Sequence, residues 1–229
     1  MEMMESWDRV ENKLKRHPEY PSMFEAAFGD QEITKHLVTK AIAQFERTLI
    51  SADSKFDRYL RGEVNLTSSE RNGLILYTSE KADCFHCHGV PSSQVLLTDN
   101  RFHNNGLDSI GPNQFDFPDE GRGTITGNKN DNGNFKTPTL RNVTLTAPYM
   151  HDGRFATLKE VIDFYSDNLQ PAPNVNPNIR KHLPPSADGY FRTGGVNLTD
   201  QEKQDLINFL KTFTDSSFIK NPQYSNPFK

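Results

Sequence analysis

The chain has 229 residues, a net charge of −4 and a hydrophobic fraction of 34%, enough for one domain, or two small ones, with a sizeable core. Fourteen glycines and fourteen prolines describe a loop-rich protein, yet sixteen Phe and seven Tyr supply too much bulky apolar material for a disordered one. Charges of both signs are interspersed, which argues against nucleic acid as a partner, and no apolar stretch approaches the length of a membrane span.

The N-terminus is charged from the outset (Glu2, Glu5, Asp8, Arg9, Glu11) and carries no apolar signal-peptide core. Trp7, Val10 and Leu14 recur at helical spacing until Pro18 stops the run. Phe24, Ala27 and Phe28 mark a second short helix before Gly29. Asp30 reads as the N-cap of a longer helix with Ile33, Leu37, Ala41, Phe45 and Leu49 on one face. Thr67-x-x-Glu70 is a capping box that opens a helix through Leu74 to about Thr78.

That helix delivers the chain into Cys84-Phe85-His86-Cys87-His88, which contains both cysteines of the protein. The pattern C-x-x-C-H is that of covalent c-type haem attachment. Two thiols three positions apart can form thioethers to both vinyl groups of one haem, and the adjoining His88 then serves as its proximal ligand. A zinc site built here would have to recruit distant histidines, and a redox pair would not need His88. One haem c is therefore expected. Attachment of this kind takes place outside the cytoplasm, so the expected compartment is the periplasm, and the missing leader suggests a mature or truncated piece of a longer protein.

From Gly89 to Pro138 the chain turns repeatedly through Asn104-Asn105-Gly106, Gly111-Pro112 and Asp131-Asn132-Gly133, predicting a long irregular excursion without helices or sheet. Loops of this length are expected where they wrap a ligand. Two further capping boxes, Thr157-x-x-Glu160 and Thr199-x-x-Glu202, open amphipathic helices, the second with Leu206, Ile207, Leu210 and Phe213. Between them lies a loop from Gln170 to Gly195. The fold class expected is mainly α, a cytochrome c-like haem domain with long irregular loops.

The block Phe135-Lys136-Thr137-Pro138-Thr139-Leu140-Arg141-Asn142-Val143, continued by Thr146-Ala147-Pro148-Tyr149-Met150-His151-Asp152-Gly153-Arg154, closely resembles the bacterial dihaem cytochrome c peroxidase and MauG superfamily. So do Ala41–Leu49, Ser54–Leu60, Phe102–Leu107 and the ending from Leu198 to Phe228. The resemblance implies that residues 1–65 are the end of an N-terminal domain, 66–215 the cytochrome c-like haem domain, and 216–229 an extended arm. Relatives carry two haems in two such domains, whereas this sequence has one C-x-x-C-H, so the other haem and the tryptophan-bearing segment between the haems would lie elsewhere. Trp7 does not match that segment.

His103, Met150, His151 and Tyr165 are the candidates for the distal face of the iron. Met is the usual ligand of electron-transfer cytochromes, which keeps Met150 in view. In the peroxidase branch the resemblance places a distal Met fourteen residues after the His of H-D-G, which here is Tyr165, as in MauG. A phenolate favours ferric iron and oxidative chemistry. An open distal site is the alternative. His151 and His103 are also candidates for hydrogen bonding at the haem edge, with His151 the stronger catalytic candidate beside Tyr165. Arg141, Arg154 and Lys136 are candidate partners of the haem propionates or, equally, members of surface ion pairs. The resemblance further implies a calcium ion on the backbone carbonyls of Thr146 and Pro148, completed by an Asn of the missing part.

The function implied is reduction of hydrogen peroxide with electrons from a small cytochrome or another redox protein, with a homodimer as a candidate assembly. The rival is a monohaem electron carrier or subunit without peroxidase turnover.

Overall fold

A computed structural model describes residues 5–29, 32–108, 110 and 115–226. They fall into two units, Met1–Ile50 and Ser51–Lys229.

In the first unit, α1 (Trp7–Arg16) is capped by Ser6, whose side chain accepts the Arg9 N–H, and it ends before Pro18. Helix α2 (Tyr20–Phe28) stops at Gly29, where a φ of +81° suits glycine. Helix α3 (Lys35–Thr48) is capped by Thr34, whose side chain accepts the Leu37 N–H. Asp30, expected as that cap, lies outside the described residues. Ile33 precedes the helix and joins Phe24, Leu37 and Val38 in a small core. The apolar cluster reaches only the first turns of α3, so Ala41, Phe45 and Leu49 are exposed although they continue its stripe.

The second unit begins with α4 (Lys55–Leu60), where Ser54 and Asp57 form a capping box that sequence reading had not singled out. The expected boxes at Thr67/Glu70, Thr157/Glu160 and Thr199/Glu202 all form, opening α5 (Ser68–Tyr77), α8 (Leu158–Asp167) and α10 (Asp200–Lys211). Between α5 and α8 lie the one-turn helices α6 (Phe85–His88) and α7 (Gly123–Thr126), and α9 (Pro177–Arg180) lies between α8 and α10. The excursion from Gly89 to Pro138 is not devoid of sheet. Strands β1 (Phe102–His103) and β2 (Phe135–Lys136) pair antiparallel, Phe102 opposite Lys136 and His103 opposite Phe135. Two-residue strands carry no periodicity by which a sequence could announce them.

Helices α5 and α10 meet at Gly73, where an added Cβ would stand 2.1 Å from the Asp205 carbonyl oxygen. That close approach brings Tyr77 and Phe209 into an aromatic cluster with Phe56 and Phe213, centroids 4.9–6.3 Å apart and mostly edge-to-face. Phe213 lies beyond the end of α10 but is fully packed. Because Phe56 belongs to this core, the segment before residue 66 is divided: residues 51–65 pack with the second unit. The C-terminal stretch expected as an extended arm instead forms α11 (Ser216–Ile219) and a 3-10 turn, Pro222–Tyr224. The cause is Asp215, whose carboxylate caps α11 by accepting the Ser217 and Phe218 N–H groups.

Candidate haem-binding site

The chain leaves α5, turns through Asp83 at a φ of +61°, and enters α6 at Cys84. Helix α6 closes at Gly89, whose N–H bonds the Phe85 carbonyl at 2.8 Å. The following loop clamps it, since the Asp99 N–H donates to the Cys87 carbonyl at 2.8 Å. In the same loop the Leu97 carbonyl stands 3.0 Å from His88 Nδ1. A backbone carbonyl on Nδ1 holds the proton there and presents Nε2 as the metal-binding nitrogen. Burial also pushes the His88 imidazole below its ordinary range, which keeps it neutral and able to ligate.

Cys84, Cys87 and His88 line one cavity of about 440 Å³. Its walls are largely apolar, with Leu140, Val143, Ile162, Leu198, Leu206 and Leu210 contributing. Burial pushes the thiols up, Cys84 to about 12 and Cys87 to about 11, opposite in direction to the thiolates of redox-active pairs. The Tyr77 hydroxyl, fully buried on the cavity wall, has no hydrogen-bond partner. An orphaned hydroxyl in an apolar cavity is costly unless a polar group inside accepts it. Thiols, imidazole, cavity and orphaned donor together fit a covalently tethered haem.

Two apolar clusters contribute to the cavity lining. Cys84 and Phe85 pack into the core of α5 and α10, whereas Met150 and Tyr165 pack with Leu107, Phe164, Leu169 and Leu183. Tyr165, from α8, lines the cavity, and burial pushes its phenol up to about 12 against the opposing bond from Asn105. Asn105 Nδ2 donates to the Tyr165 hydroxyl at 3.2 Å and lies 3.7 Å from the Met150 sulfur. Tyr165 and Met150 thus share a wall and a partner.

His151 stands on the cavity lining but is exposed, stacked on Phe135 with centroids 3.6 Å apart. His103 also lines the cavity, with both ring nitrogens engaged: Nε2 with Asp99 at 2.7 Å and Nδ1 with Asn176 at 2.7 Å. Those two bonds anchor the ring at the cavity edge.

Two of the three expected propionate partners are committed elsewhere. Arg141 makes a bidentate pair with Asp57 at 2.8 and 3.0 Å, and Arg154 bonds Asp108 and Asp152. Lys136 alone of the three lines the cavity. Thr146 and Pro148 lie on an exposed turn at the cavity lining. Two carbonyls fall short of the roughly six to eight oxygens that calcium takes. These two carbonyls alone do not make up a calcium site.

Residues 1–65 match the family model described as di-haem cytochrome c peroxidase. The methylamine utilization protein MauG of Methylorubrum extorquens is 33% identical over 228 residues, covering 97% of this chain and 57% of the relative. The cytochrome c551 peroxidase of Nitrosomonas europaea is 37% identical over 163 residues, covering 71% of this chain and 46% of the relative. A solved structure, described as a MauG-like protein associated with microbial copper homeostasis, superposes with a TM-score of 0.78 at 39% identity, covering 97% of this chain and 66% of that one. The chain belongs to the dihaem cytochrome c peroxidase and MauG superfamily. It spans about half the length of these curated relatives.

Membership of this superfamily implies a c-type haem, and the MauG-like fold accounts for a mainly helical unit with a small two-stranded sheet. Sequence reading missed Asn105, Tyr77 and Asp99. Asn105 stood in an Asn-Asn-Gly string that reads only as a turn, and nothing in its spacing announces Tyr165 as its partner.

Proposed function

We propose that this chain carries a haem site of a MauG-type peroxidase, which reduces hydrogen peroxide with electrons from a small cytochrome or another redox protein. The observation that carries the reading is Tyr165: a buried phenol on the cavity wall, held by Asn105 and packed in a different apolar cluster from Cys84. Bound haem supplies the one-electron iron chemistry. Cys84 and Cys87 would tether it, and His88, oriented by the Leu97 carbonyl, would offer Nε2 to the iron. Tyr165 would hold the iron from the Asn105 side of the cavity, where a phenolate oxygen would favour the ferric state once a cation lowered its raised pKa. Met150 is the alternative, held ready on the same Asn105 amide.

Peroxide leaves as two water molecules after taking up two electrons and two protons. His151, exposed at the lining and stacked on Phe135, is placed to exchange protons with bulk water. The cofactor chemistry supports a periplasmic location. Among the described residues no helix is long and apolar enough to cross a membrane. A calcium ion on the Thr146 and Pro148 carbonyls belongs to a larger assembly in which other segments supply the remaining oxygens.

The test is peroxide-dependent oxidation of reduced cytochrome c by the haem-loaded protein. Turnover that falls at least tenfold in Tyr165→Phe, with haem content unchanged, is the expected result. A well-formed haem spectrum without turnover in the parent protein would favour the electron carrier.

A further inference from the structure

The turn between α5 and α6 gathers a second set of donors beside the haem cavity, which Asp83 lines and Glu80 and His86 do not. His86 occupies a spacer position of the haem-attachment motif and is no part of the cavity wall. Its ring packs on Phe85 at 4.1 Å, and its Nε2 stands 3.1 Å from Glu80 Oε1 and 3.1 Å from Asp83 Oδ1. One donor atom from each of the three residues lies within 4.8 Å of the others.

Asp83 distinguishes this cluster from an ordinary surface ion pair. Its side chain is 3% exposed. Oδ2 is used twice, by His182 Nε2 at 2.9 Å and Lys181 Nζ at 3.0 Å. Oδ1 has no hydrogen-bond partner. A ring nitrogen carries at most one hydrogen, and that of His86 is directed at Glu80. The result is a buried carboxylate oxygen that lies 3.1 Å from the His86 ring nitrogen yet accepts no hydrogen bond, an arrangement that costs free energy as it stands.

We propose that Glu80 Oε1, Asp83 Oδ1 and His86 Nε2 form a site for one divalent transition-metal ion of the zinc(II) type. An imidazole joined to two carboxylates suits zinc, copper or nickel better than magnesium or calcium, which take oxygen donors. Two ligands held at about 2.0–2.2 Å by a tetrahedral ion stand roughly 3.4 Å apart, so the 3.1 Å separations need only small side-chain adjustments. Glu80, with its side chain 67% exposed, leaves an entry path and room for water in the fourth position. Lys181 bonds the remaining oxygens, Glu80 Oε2 and Asp83 Oδ2, and so balances part of the carboxylate charge while opposing an incoming cation. An ion bound here fastens the turn ahead of α6 to α6 itself, beside both haem tethers.

The test is calorimetric titration of the haem-loaded, chelator-treated protein with zinc(II). One ion per chain is expected, weakened at least tenfold in His86→Ala and in Glu80→Gln with the haem spectrum unchanged. Lys181→Met is expected to tighten binding severalfold, a gain that a folding defect cannot imitate. Absence of uptake, uptake identical in all four proteins, or displacement by equimolar calcium or magnesium would each overturn the assignment.

Discussion

The side-chain amide of Asn105 bridges two side chains on one wall of the haem cavity, the Tyr165 hydroxyl at 3.2 Å and the Met150 sulfur at 3.7 Å. With Tyr165 as distal ligand, Tyr165→Phe changes the ferric absorption and EPR spectra outright, and Asn105→Ala changes them in part by freeing the phenol's orientation. Haem content, set by Cys84 and Cys87, stays the same in both. Ferric spectra identical to the parent in both variants would remove Tyr165 from the iron.

Arg141 is bound into the architecture of the unit. Its pair with Asp57 is 15% and 12% exposed, and a third bond joins its Nε to the Val95 carbonyl at 2.6 Å. Arg141→Leu strands the Asp57 carboxylate and is expected to cost about 3 kcal/mol in urea unfolding. The haem potential should be unmoved. A shifted potential with unchanged stability would restore the propionate role.

At Gly73 the α5–α10 contact leaves no space for a methyl group, since the nearest atoms to an added Cβ are the Asp205 carbonyl and Phe209 Cβ. Gly73→Ala gains helix propensity worth about 1 kcal/mol, yet forcing the helices apart costs more. A net loss of about 2 kcal/mol is expected. A stabilised variant would mean that the helices do not approach so closely.

Asp215 yields a pH prediction. It is 1% exposed, and burial alone would push its carboxyl up. Bonds from Ser217, Phe218, Asp53 and Ser51 outweigh that and hold it at about 2. A carboxyl depressed in the folded state stabilises above the unfolded pKa, near 3.8, and loses that contribution as pH falls towards 2. Asp215→Asn is therefore expected to lose about 2 kcal/mol at pH 7, with the gap to the parent closing between pH 4 and pH 2. A gap that does not depend on pH would assign the loss to packing.

What could be read from the sequence was local chemistry. Thr67, Thr157 and Thr199 announce their helices because a cap and its Glu partner are three residues apart. The haem tethers are legible for the same reason, all within one turn of α6. Tyr165 is found only by counting along the resemblance from His151. Asn105 is invisible in this way, because its partners lie 45 and 60 residues on. For Arg141 the sequence offered a propionate or an ion pair without deciding, because the carboxylate it pairs with lies 84 residues earlier. Phe45 continues an apolar stripe faithfully, but a stripe shows which face is apolar and not how far its cover extends.

The Asp215 carboxylate also receives Ser51 Oγ and the Asp53 N–H, while Asn142 Oδ1 accepts the Asp215 N–H at 2.7 Å and its Nδ2 donates to Ser51. The opening residues of the second unit are thereby knotted to the end of its last long helix. A polypeptide that enters and leaves a body at the same point can be spliced into a longer chain as a cassette, with its interior connections undisturbed. By the same logic, new ends cut in an exposed loop and the old ones joined across the Ser51–Asp215 junction should give a circular permutant that still encloses its cofactor.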